Sequence, residues 1–294
     1  MRRTNMWVMN PSRAVSLRKL VAAACGSVLL LALFAAPAMA APRSELWPRW
    51  SAHDPASNAV IDHADWTRLL QLYTRASDDG VVRFDYAGLA ARDRAALDDY
   101  VARLAELPVS TLNRGEQQAY WINLYNALTV QVVLDHYPVG SILKIGISPG
   151  LFAVGPWGRK LVTIEGEEVS LDDIEHRILR PIWKDPRIHY AVNCASIGCP
   201  NLIDTAYTAA QMETLLEANA VAYVNHPRGV AVRGGSVIAS SIYEWFQEDF
   251  GGSVTGVLAH LRKYARPELA SELQHALDID NYDYDWSLND VAEQ

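Results

Sequence analysis

Cysteine is scarce in this chain, with three residues in 294. That excludes a disulfide-dense scaffold and a multi-cysteine zinc module. The motifs that cradle phosphates or build common hydrolase sites are also missing. There is no P-loop, dinucleotide fingerprint, Gly-x-Ser-x-Gly elbow or His-Glu-x-x-His run. The glycine runs at 155–158 and 234–235 read as turns, and no cofactor is expected. A second long apolar run is lacking as well, so no membrane span is expected in the body of the chain.

The single long apolar run is Leu20–Ala36, 17 residues at the lower edge for a spanning helix. Arg2, Arg3, Arg13, Arg18 and Lys19 precede it, and Ala38-Met39-Ala40 ends it with small residues at −3 and −1. This pattern predicts a secretory signal peptide over 1–40, cleaved before Ala41, and a periplasmic or secreted protein. The leader carries five of the 26 basic residues and no acid, which leaves 21 basic against 34 acidic residues and a net charge of −13. Such a surface repels phosphate backbones, so nucleic acid is excluded as a partner class. The expected partner is a small molecule or a peptide. Cys25 leaves with the leader, and the even pair Cys194 and Cys199 remains in an oxidising compartment.

The pattern predicts an α+β fold: a mainly helical single domain over 59–290, preceded by an extended arm at 41–58, with a small antiparallel sheet. Helices are expected over 65–76, 87–107, 116–136, 171–179, 208–225, 242–250 and 254–264. Short strands are expected at 81–86, in a hairpin at 160–169, and at 229–232 and 237–239. A strand is also read at 187–193, placing His189 and the cysteine loop on the sheet. The aromatic, acidic tail at 281–289 is expected to pack back on the body.

The 116–136 helix is apolar nearly all round and therefore buried. Asn123 and Asn126 fall inside its apolar stripe, where each must find partners. They tie a loop to the helix or orient a site. Ser170 with Asp173 forms a capping box. In the helix that follows, Glu175 lies on the core-facing stripe and needs a partner, structural or functional. His176 points toward solvent or a neighbouring element. The densest reactive group is His189, Asn193, Cys194, Ser196 and Cys199. Three readings compete: a thiol nucleophile with a histidine base, a Cys194–Cys199 disulfide, and a metal site. Cys-x4-Cys with one nearby His is a weak zinc pattern, so no metal is expected. In an extended strand Cys194 lies about 16 Å along the chain from His189 and on the opposite face. Their pairing requires a turn after Asn193, and His136 or His176 is an equally open choice of base.

Several segments resemble the domain-of-unknown-function 547 family: 120–129, 169–176, Leu179-Arg180, 189–196 with Cys199-Pro200, 241–246 with Asp249-Phe250, and 284–289. The chain looks like an exported bacterial member of it. The resemblance implies one domain and no assigned activity. The layout of a polar buried helix and a later histidine also resembles transglutaminase-like and papain-like thiol enzymes. Their nucleophilic cysteine begins the helix, where this chain has none. Two functions follow as expectations. One is an exported thiol-dependent hydrolase or transferase on an amide or peptide-like substrate. In it Cys194 or Cys199 is the nucleophile, His189 the base, Glu175 an orienting acid, and Asn123 or Asn126 an orienting or oxyanion group. The other is a non-catalytic binding or assembly module, its pocket under the Phe152/Trp157 loop and its disulfide structural.

Overall fold

One helix organises the molecule. Asn113 caps it, its side chain accepting from the Glu116 amide at 3.0 Å, and α3 then runs over Arg114–His136 to the proline at 138. Seventeen of its 23 residues are buried, as an all-round apolar pattern requires. The computed structural model in which this is seen describes residues 42–151 and 153–293. The expected signal peptide and cleavage site, and Phe152, lie outside the described residues.

α2 (Ala91–Ala105) packs on α3 and α1 (Ala64–Tyr73) packs on α2, with the antiparallel pair β1 (Thr74–Ala76) and β2 (Val82–Phe84) between α1 and α2 in sequence. The segment expected to be an extended arm turns instead into a short 3-10 helix, Pro48–Ser51. Trp50 is buried there, edge-on to Trp121 at 5.0 Å; its apolar surface draws the arm onto α3. The hairpin is β3 (Val162–Ile164) and β4 (Glu167–Val169). Its turn places Glu165 and Gly166 at positive φ.

The capping box at Ser170 forms as its spacing predicts: Ser170 N donates to Asp173 Oδ2 at 2.9 Å and Asp173 N to Ser170 Oγ at 3.2 Å. The helix it opens widens into a π-helix over Asp173–Leu179 and tightens into α4, Arg180–Trp183. A second buried cluster gathers α5 (Met212–Val224), the hairpin β5 (Val230–Arg233) and β6 (Ser236–Ser240), α6 (Ile242–Trp245) and α7 (Val254–Tyr264). The short α8 (Pro267–Leu273) and β7 (Asn281–Asp283) complete the order, β7 lying parallel to β6. The fold is thus mainly helical α+β. Among the described residues there are three separate small sheets, and one contains a parallel pair. No helix among the described residues is long and apolar enough to cross a membrane.

The strand expected at 187–193 does not form. Pro186–Tyr190 is a 3-10 turn capped by Asp185, whose carboxylate accepts from the Arg187 amide at 2.9 Å. No sheet carries His189. The two asparagines of α3 replace the missing ladder. Asn126 donates to Ala191 O at 2.9 Å and accepts from Asn193 N at 2.8 Å. Asn123 does the same for Tyr207, at 2.8 and 3.0 Å. Both amides therefore bind irregular backbone to the central helix. Asn126→Ala removes a donor and an acceptor from buried backbone at once. It is expected to cost about 1–3 kcal/mol in urea unfolding, with the midpoint shifted and the slope unchanged.

Candidate functional site

Residues 191–199 leave the 3-10 turn as an irregular loop whose shape is imposed from three sides. Asn126 holds its start. Asn193 Oδ1 accepts from the Ala195 amide at 2.9 Å and steadies Ala195 at a φ of 59°, a left-handed conformation in a non-glycine residue directly after Cys194. The C-terminal tail clamps the rest. Ile197 N donates to Ser287 O and Gly198 N to Asp285 O, both at 2.8 Å, while Asn289 N donates to Ala195 O at 3.1 Å. Gly198 is required there: a Cβ would lie 2.9 Å from the Asp285 nitrogen. The tail packs back as expected, and its partner is the cysteine loop.

That clamp brings Tyr284 onto the thiols. Cys194 Sγ lies 3.1 Å from Cys199 Sγ, 3.2 Å from Ser196 Oγ and 3.1 Å from the Tyr284 hydroxyl, which is itself 2.9 Å from Ser196 Oγ. Cys199 is buried and Cys194 half-buried. The two sulfurs stand as free thiols, well beyond the about 2.05 Å of a bond. Their environments differ in sign. When Cys194 ionises, the Cys199 S–H and the hydroxyls of Ser196 and Tyr284 can all donate to its thiolate, which draws the Cys194 thiol below its ordinary value against burial and the Glu175 charge. Burial pushes Cys199 far up, and the neighbouring Cys194 adds to it. The first negative charge of the pair therefore resides on Cys194. Trp245, Tyr284 and Trp286 lie beside the loop as mutually packed rings with centroids 4.6–5.5 Å apart, and Trp157 meets Trp286 at 5.8 Å.

His189 is not a partner of either thiol. Its Nε2 meets Asp249 Oδ2 at 2.7 Å and its Nδ1 meets Glu175 Oε1 at 3.4 Å, with the ring stacked on Phe246 at 4.2 Å. Arg180 completes this cluster, donating from Nε to Asp249 at 2.6 Å and from Nη2 to Glu248 at 2.7 Å. Burial lowers His189, but the hydrogen bonds to Asp249 and Glu175 outweigh it and leave the imidazole raised. Burial works against the charge on Glu175; His176, His189 and Arg180 reverse that and hold it down to about 2. His176 is itself pushed by burial to about 4, so it is neutral at pH 7 and accepts from Arg180 at Nδ1, 3.1 Å away. The compensating charges are therefore those of His189 and Arg180. His176 is buried against a neighbouring element, its ring 5.6 Å from that of Phe246, the second of the two surroundings its position on the wheel allowed. His136 is also apart from the sulfurs, with Nδ1 against Val132 O at 2.9 Å.

The expected site residues thus divide into three groups. Cys194 and Cys199 are together, His189 and Glu175 are together, and Asn123 and Asn126 are backbone anchors. Asp249, Arg180 and Tyr284 were not singled out for chemistry, and they belong to segments on which the family resemblance rests. Among the described residues no group of three or more His, Cys, Asp or Glu side chains is placed to hold a metal ion. Residues 109–224 match the family model described as a protein of unknown function, DUF547. No curated protein and no solved structure matches the chain.

Proposed function

We propose that this protein, whose residues 109–224 belong to the DUF547 family, is a thiol-dependent hydrolase or transferase acting on an amide or peptide-like substrate. The observation that carries the reading is the convergence of three hydrogen-bonding groups on the half-buried Cys194 Sγ. Cys194 is the nucleophile and reacts as the thiolate that these contacts favour. Its sulfur attacks the carbonyl carbon, and the bond from that carbon to nitrogen breaks. The leaving amine takes the proton of the Tyr284 hydroxyl, 3.1 Å from the sulfur. Water or an amine then cleaves the thioester, returns that proton, and frees the thiolate. Cys199 supplies a hydrogen bond and stays protonated.

The test uses 4-nitrophenyl acetate, whose leaving group needs no proton. A burst of nitrophenolate with one acetyl group on Cys194 by peptide mass spectrometry is expected, and none in Cys194→Ser. An unmodified Cys194 in reduced, folded protein would sink the reading. A second reading rests on the 3.1 Å separation of the sulfurs: a binding module in which the two close to a structural disulfide. It predicts that neither cysteine takes up iodoacetamide until a reductant is added. Export belongs to the same proposal. The intact mass of protein recovered from the producing cell's envelope or medium should begin at Ala41, and a mass retaining residues 1–40 would count against it.

A further inference from the structure

Among the described residues Arg228 is a half-buried cation with a buried, unbonded Nε and no ion-pair partner. Arg228 follows α5 and reaches toward the cysteine loop, donating from Nη1 to Ile197 O at 2.9 Å and from Nη2 to Asn201 Oδ1. Its guanidinium also lies over the Tyr223 ring, 5.6 Å from the centroid. Among the described residues no carboxylate pairs with it, and its Nε is buried with no hydrogen-bond partner. The Asp79 carboxylate, whose charge it feels, is taken by Arg83 in a two-pronged pair at 3.0 and 2.7 Å. Burial lowers the Arg228 guanidinium from its ordinary value. A guanidinium offers five N–H donors and two are used here. Its Nε is out of water with no acceptor, and an unsatisfied buried donor on a charged group is costly.

Arg228 lines a cavity of about 410 Å³. Asn201 and Asn219 give that cavity polar walls, while Val82, Ile203 and Ala222 give it apolar ones. A few convergent polar groups on an apolar lining is the composition of a small-molecule pocket. We infer that this cavity is a carboxylate-binding site, in which Arg228 holds the carboxylate of a small monoanionic ligand and the apolar walls take its hydrocarbon part. A guanidinium matches a carboxylate in plane and spacing through two parallel N–H bonds. Asp204 also lines the cavity, and its charge weighs more heavily against a dianion such as phosphate than against a monoanion. This site is independent of the thiol chemistry proposed above.

Hexanoate is the probe, with hexanol and inorganic phosphate as its controls. Binding to the full chain is followed through the side-chain Nε–Hε resonances of ¹⁵N-arginine, with the Arg228 signal assigned by Arg228→Gln. Hexanoate is expected to move that signal saturably while hexanol and phosphate do not. A charge-assisted pair is worth roughly 10- to 100-fold in affinity, the loss expected for Arg228→Gln. Should that variant fail to fold, Ala222→Trp decides, since it fills the cavity from an exposed position and leaves Arg228 in place. It is expected to weaken hexanoate by at least about tenfold. Equal saturation by hexanol, displacement by phosphate, or unchanged hexanoate affinity in Ala222→Trp would each overturn the assignment.

Discussion

Replacing Cys199 by alanine is expected to slow alkylation of Cys194 at pH 7 by about 10- to 100-fold. The reasoning is a proton count around one sulfur. Three contacts converge on Cys194 Sγ, and the protons available to them are the Cys199 thiol proton and the hydroxyl protons of Ser196 and Tyr284. The two hydroxyls also contact one another at 2.9 Å, so they compete for their own protons. The Cys199 S–H also faces Val192 O at 3.8 Å, but once Cys194 has ionised, its thiolate at 3.1 Å is the nearer and stronger acceptor for that proton. A hydrogen bond to a charged group is worth about 1.5–3 kcal/mol, which is about one to two pKa units. The lowered Cys194 thiol should therefore move back up in Cys199→Ala, and the thiolate fraction at pH 7 should fall in proportion. Iodoacetamide rates as a function of pH, measured on reduced protein, read this directly. The wild-type midpoint should lie below the about 8.5 of a free thiol. Cys199→Ser keeps a donor of similar size and should restore most of the rate, which separates the hydrogen bond from mere packing. A profile that stays in place in Cys199→Ala would show that the second thiol does not tune the first.

How far the sequence discloses this arrangement depends on the range of the interactions. Features written within one helical turn are legible. The Ser170–Asp173 box and the start of α3 at its Asn113 cap follow from residues three apart. The demand that Asn123 and Asn126 find partners is also legible, because burial of α3 follows from its pattern. Their partners are not, since Tyr207 and Asn193 lie 84 and 67 residues away. The strand misread at 187–193 shows the same limit from the other side. Ile188, Tyr190 and Val192 alternate like a strand, but His189 and Ala191 between them are buried too, so both faces are covered and no alternation of environment exists. Asp185 and Pro186 start a turn, and the asparagine of a distant helix satisfies the freed backbone. Tyr284 reaches Cys194 across 90 residues, and Asp249 reaches His189 across 60. Nothing in local periodicity points to either contact.

The same long-range cluster predicts the largest loss of stability. Arg180 has 2 % of its side chain exposed and stands against Asp249, with His189 and Glu175 behind it. Two cations face the carboxylates of Asp249 and Glu175, while Glu248, also paired with Arg180, is mostly exposed to water, so the inner set is neutral when His189 is protonated. Arg180→Met removes one cation and leaves Asp249 and Glu175 sharing a single imidazolium. Breaking a buried pair from one side costs about 3–5 kcal/mol, a large part of the stability of most domains. The loss should appear as a lower urea midpoint at pH 7. The pH dependence carries a sign. His189 has a raised folded pKa, so its contribution is complete below the unfolded value of 6.5 and is lost as pH rises through the folded one. Glu175 is depressed, so its contribution is present above the unfolded 4.5 and is lost as pH falls toward about 2. Adding Asp249→Leu to Arg180→Met leaves His189 opposite Glu175, again one charge of each sign. The double variant should therefore recover part of the single variant's loss despite having lost one more polar group. If it is instead less stable than the single variant by the full cost of Asp249→Leu alone, the two side chains are not coupled, and charge balance is not what holds the π-helix against α6 and the segment that follows it.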